Sequence, residues 1–179
     1  MEKCNKMKKL DLHIHTVSTI RDKPFSFSIE SLKCYVENDN IDAIAITNHN
    51  VFDKKQFEQI RSGLTIPVFP GIEVDIEGGH LLVISDEQSI DDFCNKCAQI
   101  QRFNGGSDKA FVEEETFISV FHDLSNYLLI PHYDKEPRLD LERIPRIREY
   151  ITCGEVSSAK KFLYLSSCDG SLVPVWFSD

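Results

Sequence analysis

Short apolar segments recur along this chain, and the segments between them mostly have the periodicity of amphipathic helices. The apolar segments are rich in Val, Ile and Leu and are bounded by turn-forming residues, which predicts β-strands. Apolar strands that alternate with helices are typical of an α/β fold with a mostly parallel sheet, either open or closed into a barrel. The predicted strands are residues 10–15, 41–47, 66–76, 80–84, 128–132, 150–156 and 173–179.

Helices are predicted in most of the intervening segments. The pair Gly78-Gly79 predicts a turn that joins the two strands beside it into a hairpin. Residues 141–150 contain Pro145 and are predicted to be helical or irregular. The other predicted helices begin near residue 28 and cover residues 53–61, 90–103, 112–126 and 160–167.

Length and composition suit one globular domain. The chain has 179 residues, of which 41% are hydrophobic and 27% are charged, so it can bury a sizeable core. It contains no apolar run long enough to span a membrane, and its first residues lack the apolar segment of a signal peptide. We therefore expect one domain over residues 1–179, a cytoplasmic location and no membrane partner.

The net charge of −9 argues against a protein that coats nucleic acid, because such proteins are basic. It does not exclude a nuclease, since bound divalent cations and a local basic patch can hold phosphate. Lys135 and the arginines between residues 138 and 148 could form such a patch. The alternative is a solvated surface on which these cations pair with neighbouring Asp and Glu side chains.

Two histidines lie at the end of the first predicted strand, in the stretch D-L-H-I-H-T. His13 and His15 are separated by one residue, so in a strand both side chains point to the same face. Two neighbouring imidazoles pack poorly in an apolar core but form a good half of a metal site. Asp11, in the same stretch, is expected either to orient a ligand or to face solvent.

Five of the six histidines lie at the ends of predicted strands, and acidic side chains join them at the same edge. Function in parallel α/β sheets and barrels is located at the carboxyl ends of strands, so we expect these side chains to converge. Mixed nitrogen and oxygen ligands suit Zn²⁺, Mn²⁺ or Fe²⁺, and more than four ligands indicate at least two ions. The sixth histidine, His122, is expected in mid-helix without such a role. The converging residues are His13, His15, His49, His80, His132, Glu73, Glu155 and Asp179.

The same segments resemble the polymerase and histidinol phosphatase (PHP) superfamily. The motifs D-L-H-I-H-T, T-N-H-N, P-G-I-E-V with a following H-L-L, I-P-H and a last strand ending S-D occur in the family's order over nearly the whole chain. This resemblance implies a distorted seven-stranded (β/α) barrel of the PHP type. It also implies that two or three divalent metal ions at the strand carboxyl ends hydrolyse phosphoesters.

The resemblance further implies which side chains hold the ions. Glu73 would bridge the first and second ions, and His49 would belong to a third site. Catalysis through the metals is expected from His13, His15, His49, Glu73 and His132. The implied ligands are His13, His15, Glu73 and Asp179 for the first ion, and Glu73, His80 and His132 for the second.

The sequence departs from the family pattern in three places. Asn48 stands where the family usually has Asp, and Arg21 stands about where a further histidine often follows the first motif. The closing Asp-x-His motif is cut short at Asp179, which favours a longer natural protein with an additional C-terminal domain or partner. Arg21 is expected either to clamp a substrate phosphate, as an always-charged bidentate donor, or to be a surface loop charge.

These features predict a metal-dependent phosphoesterase. The first hypothesis is an enzyme that hydrolyses phosphate esters of nucleic acid or nucleotides, as the nuclease module of a larger ATPase-linked or polymerase-linked protein. One alternative is a small-molecule phosphatase of the histidinol phosphatase type. The other is a non-catalytic PHP module that metal ions stabilise.

Overall fold

The structure is a computed structural model, and it describes residues 7–86, 90–104, 110–168, 170 and 172–178. These residues have a mixed α/β fold, in which seven strands form a curled half-barrel sheet accompanied by six α-helices. The α/β class and the seven predicted strands are confirmed. The strands are β1 Leu10–Ile14, β2 Ala43–Ile46, β3 Val68–Ile76, β4 Gly79–Ile84, β5 Leu128–Asp134, β6 Cys153–Val156 and β7 Val173–Val175.

Side-chain caps fix where the first two helices begin. Ser28 accepts a hydrogen bond from the backbone N–H of Ser31, and Asp53 accepts one from the backbone N–H of Gln56. Each cap satisfies a donor that the first helical turn leaves without an intrahelical partner. No helix in the described ranges has the length and apolar composition that crossing a membrane requires. The helices are α1 Ile29–Asn38, α2 Lys54–Gly63, α3 Ile90–Asn104, α4 Glu114–Phe121, α5 Pro145–Arg148 and α6 Ala159–Ser166.

The strands lie in the order β1 to β7 across the sheet, so each pairs with the next one along the chain. β1, β2 and β3 are parallel, β4 is antiparallel to both its neighbours, and β5, β6 and β7 are parallel. The predicted β3–β4 hairpin is confirmed, although its turn is Glu77-Gly78 and Gly79 already pairs with Ile76. The antiparallel β4–β5 pairing was not anticipated. No pairing joins β7 to β1 within the described part of the chain, so the sheet curls without closing there.

The reversed direction of β4 brings its first residues to the edge where the parallel strands end. His80 lies opposite Asp75 in the hairpin, and Leu82 lies opposite Glu73. Residues directly opposite each other in an antiparallel pair share one face of the sheet. His80 therefore reaches the same edge as the side chains at the carboxyl ends of β3 and β5.

Alternate residues of the strands pack into two separate apolar clusters. Ile44 and Ile46 belong to a large cluster with the helix residues Phe57 and Phe93. Ala45, between them, belongs to a small cluster whose buried members all come from strands. Leu82 is also in the small cluster, so Glu73, its cross-strand partner, points to the face of the sheet on which that cluster lies.

The helix predicted over residues 112–126 is shorter than expected, and His122 is not in mid-helix. α4 ends at Phe121, because His122 has a φ of 53°, outside the right-handed helical region. A 3₁₀ turn at Leu124–Asn126 follows, capped by the side chain of Asp123. His122 is exposed.

Candidate metal centre

Five histidine rings surround the carboxylate of Glu73, which lies in β3 and is fully buried. They come from β1, β4 and β5, from the residue directly after β1 and from the third residue after β2. The structure thus brings together all five histidines that were predicted to converge. The distances from the Glu73 oxygens are 3.1 Å to His13 Nε2, 3.3 Å to His15 Nε2, 3.0 Å to His49 Nδ1, 2.6 Å to His80 Nδ1 and 3.1 Å to His132 Nε2.

Asp11 holds the strand that carries the first two histidines. The Tyr35 hydroxyl donates to Asp11 Oδ2 at 2.6 Å, the Ser178 hydroxyl also donates to Oδ2, and the His13 backbone N–H donates to Oδ1 at 3.3 Å. Asp11 is only 2% exposed, so the expectation that it faces solvent is wrong. Its carboxylate fixes the backbone of His13.

Asn48 organises the loop after His15. Its Oδ1 accepts the backbone N–H of Thr16 at 2.6 Å and that of Val17 at 2.9 Å, and the residue is almost completely buried. An amide oxygen can accept these hydrogen bonds without the cost of burying a charge. These hydrogen bonds give Asn48 a structural role that does not depend on binding metal.

The pKa values of the clustered histidines and carboxylates depend on burial and on one another. Burial alone would raise the pKa of Glu73, but hydrogen bonds from the surrounding histidines hold it well below its ordinary value. Burial lowers the pKa of His13, yet hydrogen bonds to Glu155 and Glu73 outweigh burial and raise it to about 9. For His132 burial dominates and lowers the pKa. Glu73 is therefore ionised.

Several polar atoms of the cluster fit a metal ion better than they fit one another. Both ring nitrogens of His132 and Nδ1 of His49 are buried without a hydrogen bond of acceptable geometry. Buried polar atoms of this kind call for a partner, and imidazole with carboxylate is a donor set that zinc, manganese and iron accept. The residues present therefore fit divalent metal ions.

Four overlapping groups of three side chains could each hold an ion, with ligand atoms within 4.8 Å of one another. Two of the groups share His13, two share His15, two share Glu73 and two share His49, so the groups are not independent sites. The groups are His13, His15 and Glu73; His13, His132 and Glu155; His49, Glu73 and His80; and His15, Asp22 and His49.

The predicted ligand sets agree with these groups only in part. His13, His15 and Glu73 form one group, as the first predicted site requires, whereas Asp179, its fourth member, lies outside the described residues. His80 and His132 both contact Oε1 of Glu73 but fall in different groups. The assignment of individual ligands to individual ions stays a prediction.

Two carboxylates of the centre were not anticipated from the sequence, and a third was given no ligand role. Asp75 lies two residues beyond Glu73 in the same strand, and this spacing could have identified it. Asp22 lies in the loop between β1 and α1, where no periodic pattern indicates which way a side chain points. Glu155 was expected at this edge, and its Oε2 lies 2.7 Å from His13 Nδ1.

Arg21 is directed to a carboxylate of the centre. Its guanidinium pairs with Oδ2 of Asp75 and donates to the carbonyl oxygen of Ala110 at 3.1 Å. Its side chain is 22% exposed, less than a surface loop charge would be. A role in clamping phosphate stays a prediction.

Two cavities flank the histidine cluster. One of about 320 Å³ lies beside His49 and is lined by Arg21, Asn50, Gln101 and Asn104 among others. The other, of about 420 Å³, is more open and is lined by His13, His15, Asp22, Lys23, Phe25 and Ser178 among others. Space therefore lies beside both His15 and His49.

No protein-family model and no curated protein sequence matches the chain. Among solved structures sixteen chains match, and one of them is a protein from Bifidobacterium adolescentis ATCC 15703 named as a candidate metal-dependent phosphoesterase. It is 11% identical to this chain, with a TM-score of 0.53, over 96% of this chain and 87% of that one. At this identity the likeness establishes a shared fold.

Proposed function

We propose that this chain is a metal-dependent phosphoesterase of the PHP type. The observation that carries the proposal is the set of five histidine rings around the buried carboxylate of Glu73. The sequence resemblance and the candidate phosphoesterase with a similar fold support the same reaction class. We expect two or three zinc, manganese or iron ions.

The side chains of the centre have separate tasks in this proposal. Glu73 offers one oxygen to each side of the cluster, which suits a carboxylate that bridges two ions. When bound, such ions supply a water nucleophile with a pKa lowered to about 7 and neutralise phosphoryl oxygens. The pair of Arg21 with Asp75 holds a guanidinium beside the cavity at His49, where it can meet an incoming phosphate.

The proposed substrate is a phosphate ester of nucleotide size. The cavity of about 320 Å³ beside His49 is lined by Gln101 and Asn104, whose amides suit an uncharged polar leaving group. The amide of Asn50, also in its wall, is engaged with Asp75 and Asn104. Within the hypothesis of nucleic acid or nucleotides, these features favour nucleotides. A phosphatase for another small alcohol, such as the histidinol phosphatase type, would use the same cavity.

The basic residues after β5 are poorly placed to hold a nucleic acid backbone. Arg143 pairs with Glu77, Arg146 with Glu115 and Arg148 with Glu142. The alternative of a solvated, paired surface therefore describes these arginines. A nuclease module linked to an ATPase or polymerase, a C-terminal domain or partner, and a cytoplasmic location are hypotheses that rest on the sequence alone.

A substrate panel on the metal-loaded chain tests the proposal. We expect hydrolysis of p-nitrophenyl phosphate and nucleoside monophosphates, and weaker hydrolysis of bis-p-nitrophenyl phosphate and a single-stranded oligonucleotide. Glu73→Gln should reduce activity and metal affinity by more than about 100-fold, because it removes the central charged ligand. Glu58→Gln, at an exposed helix position, is the matched control. A fully loaded chain with no turnover would favour the non-catalytic alternative.

A further inference from the structure

His13 belongs to two of the four ligand groups and faces them with different ring nitrogens. Its Nε2 lies 3.0 Å from His15 Nε2 and 3.1 Å from Glu73 Oε2. Its Nδ1 lies 2.7 Å from Glu155 Oε2, toward the group that includes His132. A neutral imidazole has a lone pair on one nitrogen and a proton on the other. Neutral His13 can therefore bind an ion on one side only.

Glu155 determines which side that is. Its carboxylate is 1% exposed and pairs with the Lys135 ammonium group at 2.9 Å, which keeps the carboxylate ionised. A carboxylate oxygen and an imidazole lone pair, both acceptors, would repel each other at 2.7 Å, so Nδ1 carries the proton and donates to Glu155. The lone pair on Nε2 then faces His15 and Glu73.

Lys135 places a positive charge on the other oxygen of the same carboxylate. Its Nζ donates to Glu155 Oε1 at 2.9 Å and lies 3.3 Å from His13 Nδ1. The lysine side chain is 15% exposed, so little water screens this charge. A divalent cation at Glu155 would be repelled by the ammonium group. His132 Nε2 lies 3.1 Å from a Glu73 oxygen and 3.5 Å from a Glu155 oxygen, so this nitrogen is closer to Glu73 than to Glu155.

We propose that Glu155 and Lys135 form a positioning pair. Glu155 orients His13 to bind metal through Nε2, and the Lys135 ammonium takes the place of a further divalent ion at Glu155. The group of His13, His132 and Glu155 therefore stays without metal in the working protein. This inference rests on the proposed function, because it concerns the divalent ions of that centre.

Metal counts on three variants test the pair without measuring activity. Equilibrium dialysis against Zn²⁺ with elemental analysis gives the ions per chain, and chelator competition gives their affinity. Glu155→Gln should keep the wild-type number of ions and weaken binding by about 10–100-fold, as expected when a residue that orients a ligand is changed. Lys135→Met should keep the wild-type number of ions, because His13 Nδ1 still carries its proton, and should bind them more tightly, because a nearby positive charge is removed. Lys135→Arg should keep both the number and the affinity of wild type. Lys161→Met, which removes an exposed lysine paired with Asp134, is the matched control.

A second measurement reads the ring nitrogen directly and does not depend on how well the variants fold. In wild-type protein with ¹⁵N-labelled histidine and bound Zn²⁺, long-range ¹H–¹⁵N spectra distinguish a protonated Nδ1 from a metal-bound Nδ1. We expect His13 to show a protonated Nδ1 and a metal-bound Nε2. A metal-bound Nδ1 overturns the proposal.

The outcomes separate this inference from the proposed function. If wild type binds divalent ions and Glu155→Gln loses one of them, Glu155 is a ligand and the positioning role is wrong. An unchanged affinity in Glu155→Gln or in Lys135→Met, or an additional ion in Lys135→Met, also contradicts the pair. A wild-type chain that binds no divalent ion overturns the proposed function, and the pair with it.

Discussion

Nδ1 of His80 lies 2.6 Å from Oε1 of Glu73, while Nε2 of the same ring lies 3.0 Å from Oδ1 of Asp75. One side of the ring therefore faces Glu73 and the other faces Asp75. Arg21 pairs with the second oxygen of Asp75 and holds this carboxylate in place. The carboxylate in turn fixes the orientation of the His80 ring. A carboxylate behind a ligating histidine fixes its tautomer and raises its basicity as a ligand.

Asp75→Asn should therefore weaken metal binding by about 10–100-fold without changing the number of ions at saturation. Competition with a coloured chelator measures the affinity. Asp39→Asn, an exposed carboxylate paired with Lys9, serves as the control and should leave the affinity unchanged. Loss of an ion at saturation would show that Asp75 is a ligand.

The stability of the metal-free protein should fall as the pH rises above 6.5. Hydrogen bonds to Asp75 and Glu73 outweigh the opposing effect of burial and raise the pKa of His80 to about 9, as those to Glu155 and Glu73 do for His13. A raised pKa stabilises the folded state fully below the unfolded value of 6.5, and this stabilisation disappears as the pH rises to about 9. The pKa of Glu73 is lowered, so its contribution is present above about 4.5 and lost in acid.

Urea unfolding in the presence of a chelator should therefore show the highest stability between about pH 5 and 6.5 and a loss of a few kcal/mol toward pH 9. His80→Gln should flatten the decline, and His122→Gln, at an exposed position outside the cluster, should not. With Zn²⁺ in excess the trend should reverse, because metal binding requires neutral imidazole. A metal-free profile that rises from pH 6.5 to 9 would contradict the coupling.

Gly71 is required where β2 and β3 approach closely, two residues before Glu73. A Cβ at this position would lie 2.7 Å from Thr47 Cγ2 and 3.0 Å from the Ile46 carbonyl oxygen. Gly71→Ala should destabilise the fold by about 1–3 kcal/mol through overpacking and reduce metal affinity by displacing Glu73. Thermal unfolding and dialysis against metal measure the two effects.

Gly63→Ala is the control for this substitution. A Cβ there would meet Ile29 Cδ1 at 2.6 Å, the end of a flexible side chain that can move aside. Gly63 is the last residue of α2, so the added helix propensity offsets the adjustment, and we expect a change within about 1 kcal/mol. Equal destabilisation by the two substitutions would refute a special requirement at Gly71.

Tyr35→Phe should destabilise the protein by about 1–3 kcal/mol, because it leaves the buried carboxylate of Asp11 without one of its donors. The pKa of Tyr35 is raised to about 12 by burial and by the hydrogen bond to Asp11, so the hydroxyl stays protonated in the working range. Chemical denaturation of the variant measures the cost. Tyr150→Phe, at an exposed position, should cost less than about 0.5 kcal/mol.

The sequence predicts which segments are strands better than it predicts how they pair. Apolar composition identifies all seven strands, and Gly78-Gly79 identifies the β3–β4 hairpin, because these are local properties. The antiparallel direction of β5 relative to β4 depends on a connection of more than forty residues and leaves no local pattern. The helix predicted through His122 ends early because His122 has a positive φ, a conformation that few non-glycine residues adopt and that the apolar pattern does not indicate.

For the site, too, the sequence predicts which side chains converge better than it predicts their individual contacts. The histidines could be found because strand ends share an edge, and Asp75 could have been found from its spacing to Glu73. The partner of each ring nitrogen could not, since the contact between His13 and Glu155 joins residues 142 positions apart. Asp22 reaches the centre from a loop whose path depends on the packing around it.

The contact between His13 and Glu155 also links β1 to β6, near the two ends of the sheet. Within the described residues no backbone pairing fastens β7 to β1, so the two ends of the half-barrel are linked by side chains such as these rather than by a ladder. The histidine cluster joins β1, β4 and β5 to Glu73 in β3 through side-chain contacts. A bound ion would strengthen these contacts and add RT ln(1 + [metal]/Kd) to the free energy of unfolding. The proposed catalytic site and the contacts that hold the curled sheet together would then be the same side chains, so a chelator that removes the ions would also lower the stability of the fold.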